Sequence, residues 1–422
     1  MTARKPALGF IFVTLVLDIL GIGLIIPILP KLVEELGGGG IEKATHIYGW
    51  LAAIYSLMQF LCAPLLGSLS DRFGRRPVIL ASLFGAGLDY FLLAFAPNLI
   101  WFFVGRIIAG ITGANFAAAT AYIADISPPE KRAANFGLIG AAFGLGFIIG
   151  PMLGGVLGGY DLRLPFFVAA GLNLLNWVYG LFVLPESLAP ENRRKFSWAV
   201  SNPIGSLLAL KKYPVVFGLA ESFFLFNLSH QVYPSIWVLY TSYRYEWTPT
   251  QTGLSLAIVG VMAAIVQGGL TRVIVKKFGE VKTVLYGFSI FAIAYLCYGL
   301  APKGWMVYVV IVFGSLGGVT GPAIQGLISR NVGADEQGGV QGSLTSLVSV
   351  TGIIGPPIMT GLFGYFISKD APFVLPGVAF FFSAALIIVA LYLAAVSFRK
   401  NKHLHASPPG DSSSTEPQPP VH

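Results

Sequence analysis

The sequence predicts an all-α membrane protein with twelve transmembrane helices in two six-helix, pseudo-symmetric halves. Composition is the first observation behind this. With 55% hydrophobic and 11% charged residues in 422, and a mean hydropathy of +0.74, the chain has too little polar surface to cover a soluble globule. Segment length is the second: a hydrocarbon core about 30 Å thick needs about 20 apolar residues per helix, and about twelve such runs lie between Leu8 and Phe398. The third is an internal echo. Gly110-Ile-Thr-Gly113, Glu130, Gly137 and Gly150-Pro151 recur as Gly318-Val-Thr-Gly321, Asp335, Gly342 and Gly355-Pro356, displaced by about half the chain, as when two parallel repeats flank a midplane site.

Segment 1 is expected over Leu8 to Val33, followed by a glycine loop from Gly37 to Gly40. Segments 2 to 6 follow over Ile47 to Leu69, Val78 to Ala96, Leu99 to Ala124, Phe136 to Leu157 and Pro165 to Leu184. Arg4 and Lys5 precede segment 1 without a small-residue cleavage site, and Asp18 interrupts the run, so it reads as a retained helix. Residues 1–184 form the expected first half, 185–214 a polar, basic linker and 215–398 the second half. Segments 7 to 12 are expected over Val215 to Tyr240, Gly253 to Val275, Thr283 to Leu300, Met306 to Ser329, Val340 to Ile367 and Phe373 to Phe398. Residues 399–422 have little to bury and are expected to be disordered.

Charge distribution orients this plan. Arg72, Arg75, Arg76, Lys131, Arg132, Lys211, Lys276, Lys277, Arg330 and Arg399 fall with both termini. Lys31, Lys43, Arg163, Arg244, Lys303 and Lys369 fall opposite. The positive-inside rule then puts both termini in the cytoplasm and accounts for the net charge of +8 without a nucleic-acid partner. Cys62 and Cys297 lie in apolar runs and read as small core residues, so neither a metal nor another cofactor is expected.

Several residues are costly in lipid. A carboxylate such as Asp18, midway along segment 1, must face a cavity, pair, or carry a proton. Asp89 in segment 3 and Arg106 in segment 4 pose the same problem, and Arg106 cannot release its proton, so it is suited to hold or bind a carboxylate. Segment 7 offers Glu221, Asn227, His230 and Gln231 before Pro234, read as an inward polar side on which Glu221 or His230 could titrate. Gln325 in segment 10 is a further pathway candidate. In segment 5, Gly146, Gly150 and Gly154, with Gly137 and Gly155, allow close helix approach, while Pro151 bends the helix. Static packing and a solvated basic loop are the plainer alternatives for these features. In the turn Gly67-Ser-Leu-Ser-Asp-Arg-Phe-Gly-Arg-Arg-Pro77, Asp71 is placed to meet a helix N-terminus or Arg132, and Arg75 and Arg76 to reach Asp125.

Gly67-x-Leu-x-Asp71-Arg72-x-Gly74-Arg75-Arg76 resembles the loop signature of the major facilitator superfamily, and Arg106-x-x-x-Gly110 its fourth-helix motif. The pattern Gly137, Gly146, Gly150-Pro151, Gly154-Gly155 resembles the fifth-helix motif of its proton-driven exporters. Asp18-x-x-Gly21-x-Gly23-Leu24-x-x-Pro27-x-x-Pro30, Leu88-Asp89-Tyr90 and Gly110-Ile-Thr-Gly113-Ala114 are similar to the tetracycline/proton antiporters, and Glu336-Gln337-Gly338 continues the likeness into the second half.

The resemblance implies that Asp18, Asp89 and Arg106 serve exchange, that Asp71, Arg75, Asp125 and Arg132 form a cytoplasmic gate, and that Gln59 lines the pathway. It also implies a multi-pass bacterial inner-membrane protein, sufficient as a monomer. Its partners would be protons and an amphipathic small molecule, foremost tetracycline or its metal complex. Two places differ: an acidic residue in helix 9 and a His in helix 8 of well-known members are here Phe291 and Ala263. The expected function is proton-coupled drug efflux, with Asp18 the proton carrier. Proton-coupled uptake or facilitated passage of a metabolite is the alternative. An embedded enzyme is disfavoured because no constellation of nucleophile, base and metal occurs.

Overall fold

The computed structural model describes residues 8–113, 115–128, 132–193, 214–330 and 337–400. The first half contains α1 (Leu8–Ile25), α2 (Leu29–Gly37), α3 (Gly40–Phe73), α4 (Arg75–Ala94), α5 (Leu99–Gly113), α6 (Asn115–Ile126), α7 (Arg132–Tyr160) and α8 (Leu164–Val183). The second contains α9 (Pro214–His230), α10 (Val232–Tyr245), α11 (Pro249–Ile265), α12 (Thr271–Phe278), α13 (Glu280–Leu300), α14 (Gly304–Ser315), α15 (Thr320–Arg330), α16 (Gln337–Ile367) and α17 (Val378–Lys400). A π turn over Val266–Leu270 joins α11 to α12, and a 3-10 turn over Leu316–Val319 joins α14 to α15.

Among the described residues, 11 helices or helix runs are long and apolar enough to cross a bilayer. Segment 7 completes the twelve but is split at Gln231 into pieces of 17 and 14 residues, each short of a span by itself. Pro234 has no N–H to offer the His230 carbonyl one turn earlier, so the helix breaks there. Segment 1 breaks for the same reason. The expected continuous helix to Val33 ends at Ile25, and α2 restarts at Leu29 after a turn at 26–28, because Pro27 and Pro30 both remove donors from its ladder. The expected Gly37 to Gly40 loop shrinks to Gly38 and Gly39, both at positive φ, and segment 12 begins at Val378 rather than Phe373. The linker stretch 194–213 and the tail 401–422 lie outside the described residues.

Glycine contacts set the helix directions. A β-carbon on Gly146 would lie 2.5 Å from Ile19 Cγ2 and one on Gly150 2.7 Å from Gly23 Cα, while Gly154 meets Leu24. These pairs ascend together, so α1 and α7 run parallel. Between the halves, Gly155 meets Pro249, Gly253 meets Pro151 and Gly260 meets Ile148, while Gly364 meets His46 and Gly352 meets Ser56. These pairs run in opposite order, so α7 with α11, and α3 with α16, are antiparallel. α11 and α12 therefore run toward the face where Leu8 begins, called here the terminal face. α13 leaves it at the Gly279 turn, and Gly299 near its end meets Gly377 just before α17, which carries Lys400 back to the terminal face. Trp50, Trp101, Trp305 and Tyr160, all strongly exposed, ring the opposite, far face, where amphipathic rings suit a headgroup layer.

The halves are sealed near the far face. Lys31 Nζ donates to Trp247 O at 3.2 Å, Thr250 Oγ1 to Gly155 O at 3.2 Å and Tyr48 OH to Pro234 O at 2.9 Å. Burial lowers the pKa of the Lys31 ammonium, and Glu34 opposes that shift. The repeat is visible in the turns as well: Gly74 (φ 106°) joins α3 to α4, and Gly279 (φ 78°) joins α12 to α13. Both turns need a residue free to adopt a positive φ.

Candidate functional site

Three buried charges meet in one cavity. Asp18 comes from α1, Asp89 from α4 and Arg106 from α5, with relative exposures of 6%, 2% and 7%. All three line a cavity of about 240 Å³ together with Tyr48, Tyr55, Tyr90, Gln231, Pro234, Ser235 and Pro356. Small residues bring α5 close enough for this. A β-carbon on Gly105 would lie 2.8 Å from Asp89 Oδ1, and one on Gly110 2.6 Å from Tyr55 O. Arg106 therefore sits with its guanidinium carbon 5.8 Å from the centre of the Tyr55 ring, close enough for a cation–π attraction.

The charge pair is loosely satisfied. Arg106 Nη2 lies 4.0 Å from Asp89 Oδ2, beyond hydrogen-bond range. Arg106 Nε and Nη2 and Asp89 Oδ1 have no hydrogen-bond partner in the protein. Buried polar groups are normally paired, so this site retains hydrogen-bonding capacity for a ligand or for water. Gln59 Nε2 donates to Tyr55 OH at 2.8 Å and supports the ring from one turn away; Gln59 does not itself appear in the cavity wall.

The polar face expected on segment 7 divides at the helix break. Gln231 and Pro234 reach the cavity, whereas Asn227 Nδ2 turns back to Phe223 O at 2.7 Å. His230 enters an aromatic cluster. Its Nδ1 lies 3.1 Å from both Phe226 O and Tyr295 OH, and its ring is 4.4 Å from Phe291 in an edge-on contact. Glu221 and Gln325 are exposed and are not cavity residues. Ala263 lies in α11, one turn before the π turn.

The turn at Gly74 carries the other cluster. Arg75 Nη1 pairs with Asp71 and donates to Ser70 Oγ at 2.7 Å, and Arg75 Nε reaches Asp125 Oδ2 at 3.1 Å. Arg76 does not reach Asp125 as expected; its Nη2 donates to Leu181 O at 2.6 Å, because its place on α4 directs it to α8. The Arg132 side chain lies outside the described residues. Glu186, absent from the sequence expectations, is the hub. Its Oε1 accepts from the N–H groups of Arg75 (2.9 Å), Ser187 (3.0 Å) and Leu188 (3.1 Å), and its Oε2 from Arg76 N (3.3 Å). A carboxylate there caps the exposed amides and positive end of α4. The available signal was an acid directly after Leu184-Pro185, on the same side as a glycine turn without a capping side chain.

The fifth-segment glycines have two partners. Gly146, Gly150 and Gly154 seat α7 on α1, while Pro151 and Gly155 seat it on α11; Gly137 lies near the start of α7. Sequence reasoning also missed Asn173 and Asn176, both fully buried on α8. Asn176 Nδ2 donates to Thr14 O at 2.9 Å, one turn before Asp18. Among the described residues, no group of three or more His, Cys, Asp or Glu is placed to hold a metal.

Two six-helix halves clasping a buried, charged cavity define a secondary transporter. The Major Facilitator Superfamily model matches residues 11–356 and 222–419. Tetracycline resistance protein, class C, of Escherichia coli is 43% identical over 385 residues, covering 91% of this chain and 95% of that protein. The class H protein of Pasteurella multocida is 39% identical over 354 residues, covering 83% and 87%. The chain belongs to the major facilitator superfamily and, within it, to the group of the tetracycline resistance proteins. Among solved structures, the human organic anion transporter MFSD10 (TETRAN) superposes with a TM-score of 0.70 at 25% identity, covering 93% of this chain and 100% of that one. An inward-facing, unoccupied bacterial homologue of the human lysosomal transporter Spinster gives 0.74 at 15% identity, covering 95% and 98%, a likeness of fold.

Proposed function

We propose that this chain exports a tetracycline-class drug from the bacterial cytoplasm in exchange for entering protons. The convergence of Asp18, Asp89 and Arg106 on one buried cavity carries this reading, beside its identity to the tetracycline resistance proteins. Charges that face a shared cavity can be exchanged between a proton and a ligand, whereas a purely structural pair is expected to be closed on itself.

The terminal face is cytoplasmic, by its excess of Lys and Arg, and the far face periplasmic. The far-face seal then makes this the inward-facing state. Asp18 carries the proton; Arg106, 4.0 Å from Asp89, offers its unpartnered N–H groups to the drug. Rocking of the halves about α7 with α11 and α3 with α16 alternates access. The substrate is the drug or its metal complex, and one copy of the chain suffices. Phe291 packs on His230, and in this reading the first-half carboxylates carry the proton coupling.

Everted vesicles expressing the chain supply the test. Tetracycline added to pre-acidified vesicles is expected to release protons with the wild type and not with Asp18→Asn. Release by both would remove Asp18 as the carrier. Silence of the correctly inserted wild type toward tetracycline, with a response to another drug, would correct the substrate.

A further inference from the structure

We propose that Ser235, in the first turn after the break in segment 7, is a specificity-determining residue that donates a hydrogen bond to an oxygen of the transported molecule. This rests on the export reading above. Ser235 is 1% exposed and lines the cavity, yet its Oγ has no hydrogen-bond partner in the protein. Buried hydroxyls on these helices ordinarily bond back to a carbonyl three or four residues earlier. Thr45 does so to Ile41 O at 2.6 Å, Ser229 to Phe226 O at 2.7 Å and Thr241 to Trp237 O at 2.8 Å. Ser235 does not. The neighbouring backbone is already engaged: Ser235 N donates to Gln231 O at 3.1 Å, and Pro234 O accepts from Tyr48 OH at 2.9 Å.

An unpartnered hydroxyl in a dry core is unfavourable; in a ligand cavity it is a binding group. Among the fully buried unpartnered donor atoms of the cavity wall, Arg106 Nε and Nη2 belong to the first half, whereas Ser235 belongs to the second. A molecule that satisfies both therefore bridges the two halves that must move relative to each other. Donors on both walls select a ligand rich in acceptor oxygens, and the Tyr48, Tyr55 and Tyr90 rings in the same cavity wall suit a flat apolar face. The chemical class is a molecule with a flat apolar face edged with acceptor oxygens. A simple aliphatic or purely cationic drug would leave Ser235 unused.

The test is a tetracycline titration of the purified full chain in lipid nanodiscs, followed by drug fluorescence, with wild type, Ser235→Ala, Ser235→Thr and Thr252→Ala. Thr252 also has an unpartnered buried hydroxyl but lies outside the cavity wall. Loss of one hydrogen bond predicts affinity about three- to tenfold weaker in Ser235→Ala. Ser235→Thr should bind within about twofold of wild type, and Thr252→Ala should be unchanged. In vesicles, Ser235→Ala should raise KM by the same factor with the maximal rate and pH profile unaltered. A merely structural serine would instead lower the maximal rate at constant KM, and that outcome overturns the proposal. So does wild-type affinity in Ser235→Ala. A wild type that binds no tetracycline in the same titration overturns both the proposal and the drug-export reading, whereas normal wild-type binding with an indifferent Ser235→Ala overturns the Ser235 assignment alone.

Discussion

Replacing Gly155 with alanine probes how the two halves are held shut. The added β-carbon would lie 2.5 Å from Pro249 O and 3.2 Å from Gly253 Cα, where ordinary contact begins at 3.4 Å. Both neighbours are backbone atoms, so no side chain can rotate away, and relief requires α7 and α11 to part by roughly 0.9 Å. Overpacking of this kind costs about 1–3 kcal/mol, and a gap of that size forfeits a quarter to a half of the dispersion energy of the contacts it opens. The Thr250 Oγ1 to Gly155 O bond would stretch with it. Because this seam closes the far face, the penalty falls on the closed state seen here. A shift of about 1–3 kcal/mol changes the ratio of the two states by about 5- to 150-fold. Nitroxide labels at Tyr160→Cys and Lys303→Cys, one on each half, in a Cys62→Ser, Cys297→Ser background, report the far-face distance by pulsed electron resonance. Gly155→Ala should move population to longer distances. Gly140→Ala, where a β-carbon meets nothing within 4 Å, should not. Identical distributions for Gly155→Ala and wild type, or an equal shift in Gly140→Ala, would refute the assignment of this seam as the far-face seal.

Two further outcomes follow from the same geometry. Glu186→Ala strips the acceptor from four backbone N–H groups and should destabilise the chain by about 1–2 kcal/mol, read as a lower unfolding temperature in detergent, with Glu186→Gln recovering part of the loss; an unchanged unfolding temperature in Glu186→Ala would remove it as the cap of α4. Lys31→Met removes a bond between the halves at the far face worth about 1 kcal/mol, so the label distances should shift in the same direction as for Gly155→Ala but less, and no shift would show that Lys31 does not contribute to the seal.

The individual side chains differ sharply in how legible they were. Asp18, Asp89 and Arg106 announced themselves because ionised groups in apolar runs are rare enough to demand a cavity. The glycines of α7 were equally visible, since small residues at spacings of four leave one reading, close helix approach. Tyr48, Tyr55 and Ser235 were silent. In a chain with 17 tyrosines, nothing local separates a cavity ring from a lipid-facing one. His230 misled for a related reason: helical spacing placed it with Gln231 and Pro234, but the break between them rotates the two stretches apart, and His230 turns to Phe291 and Tyr295.

By itself, the sequence determined that the chain is a twelve-helix membrane protein, because hydropathy, segment length and charge asymmetry are local properties that a bilayer reads directly. It also singled out Asp18, Asp89 and Arg106, which line one cavity, and it contains Pro27 and Pro234, which cannot donate to a helix. Only the tertiary structure decided how those prolines divide segments 1 and 7, which tyrosines and which serine wall the cavity, that Glu186 caps the turn at Gly74, and that the seal lies at the far face. Each of these is a relation between residues distant in sequence, set by the approach of helix backbones at glycines such as Gly110, Gly150 and Gly155, and such approach distances are written in no single segment.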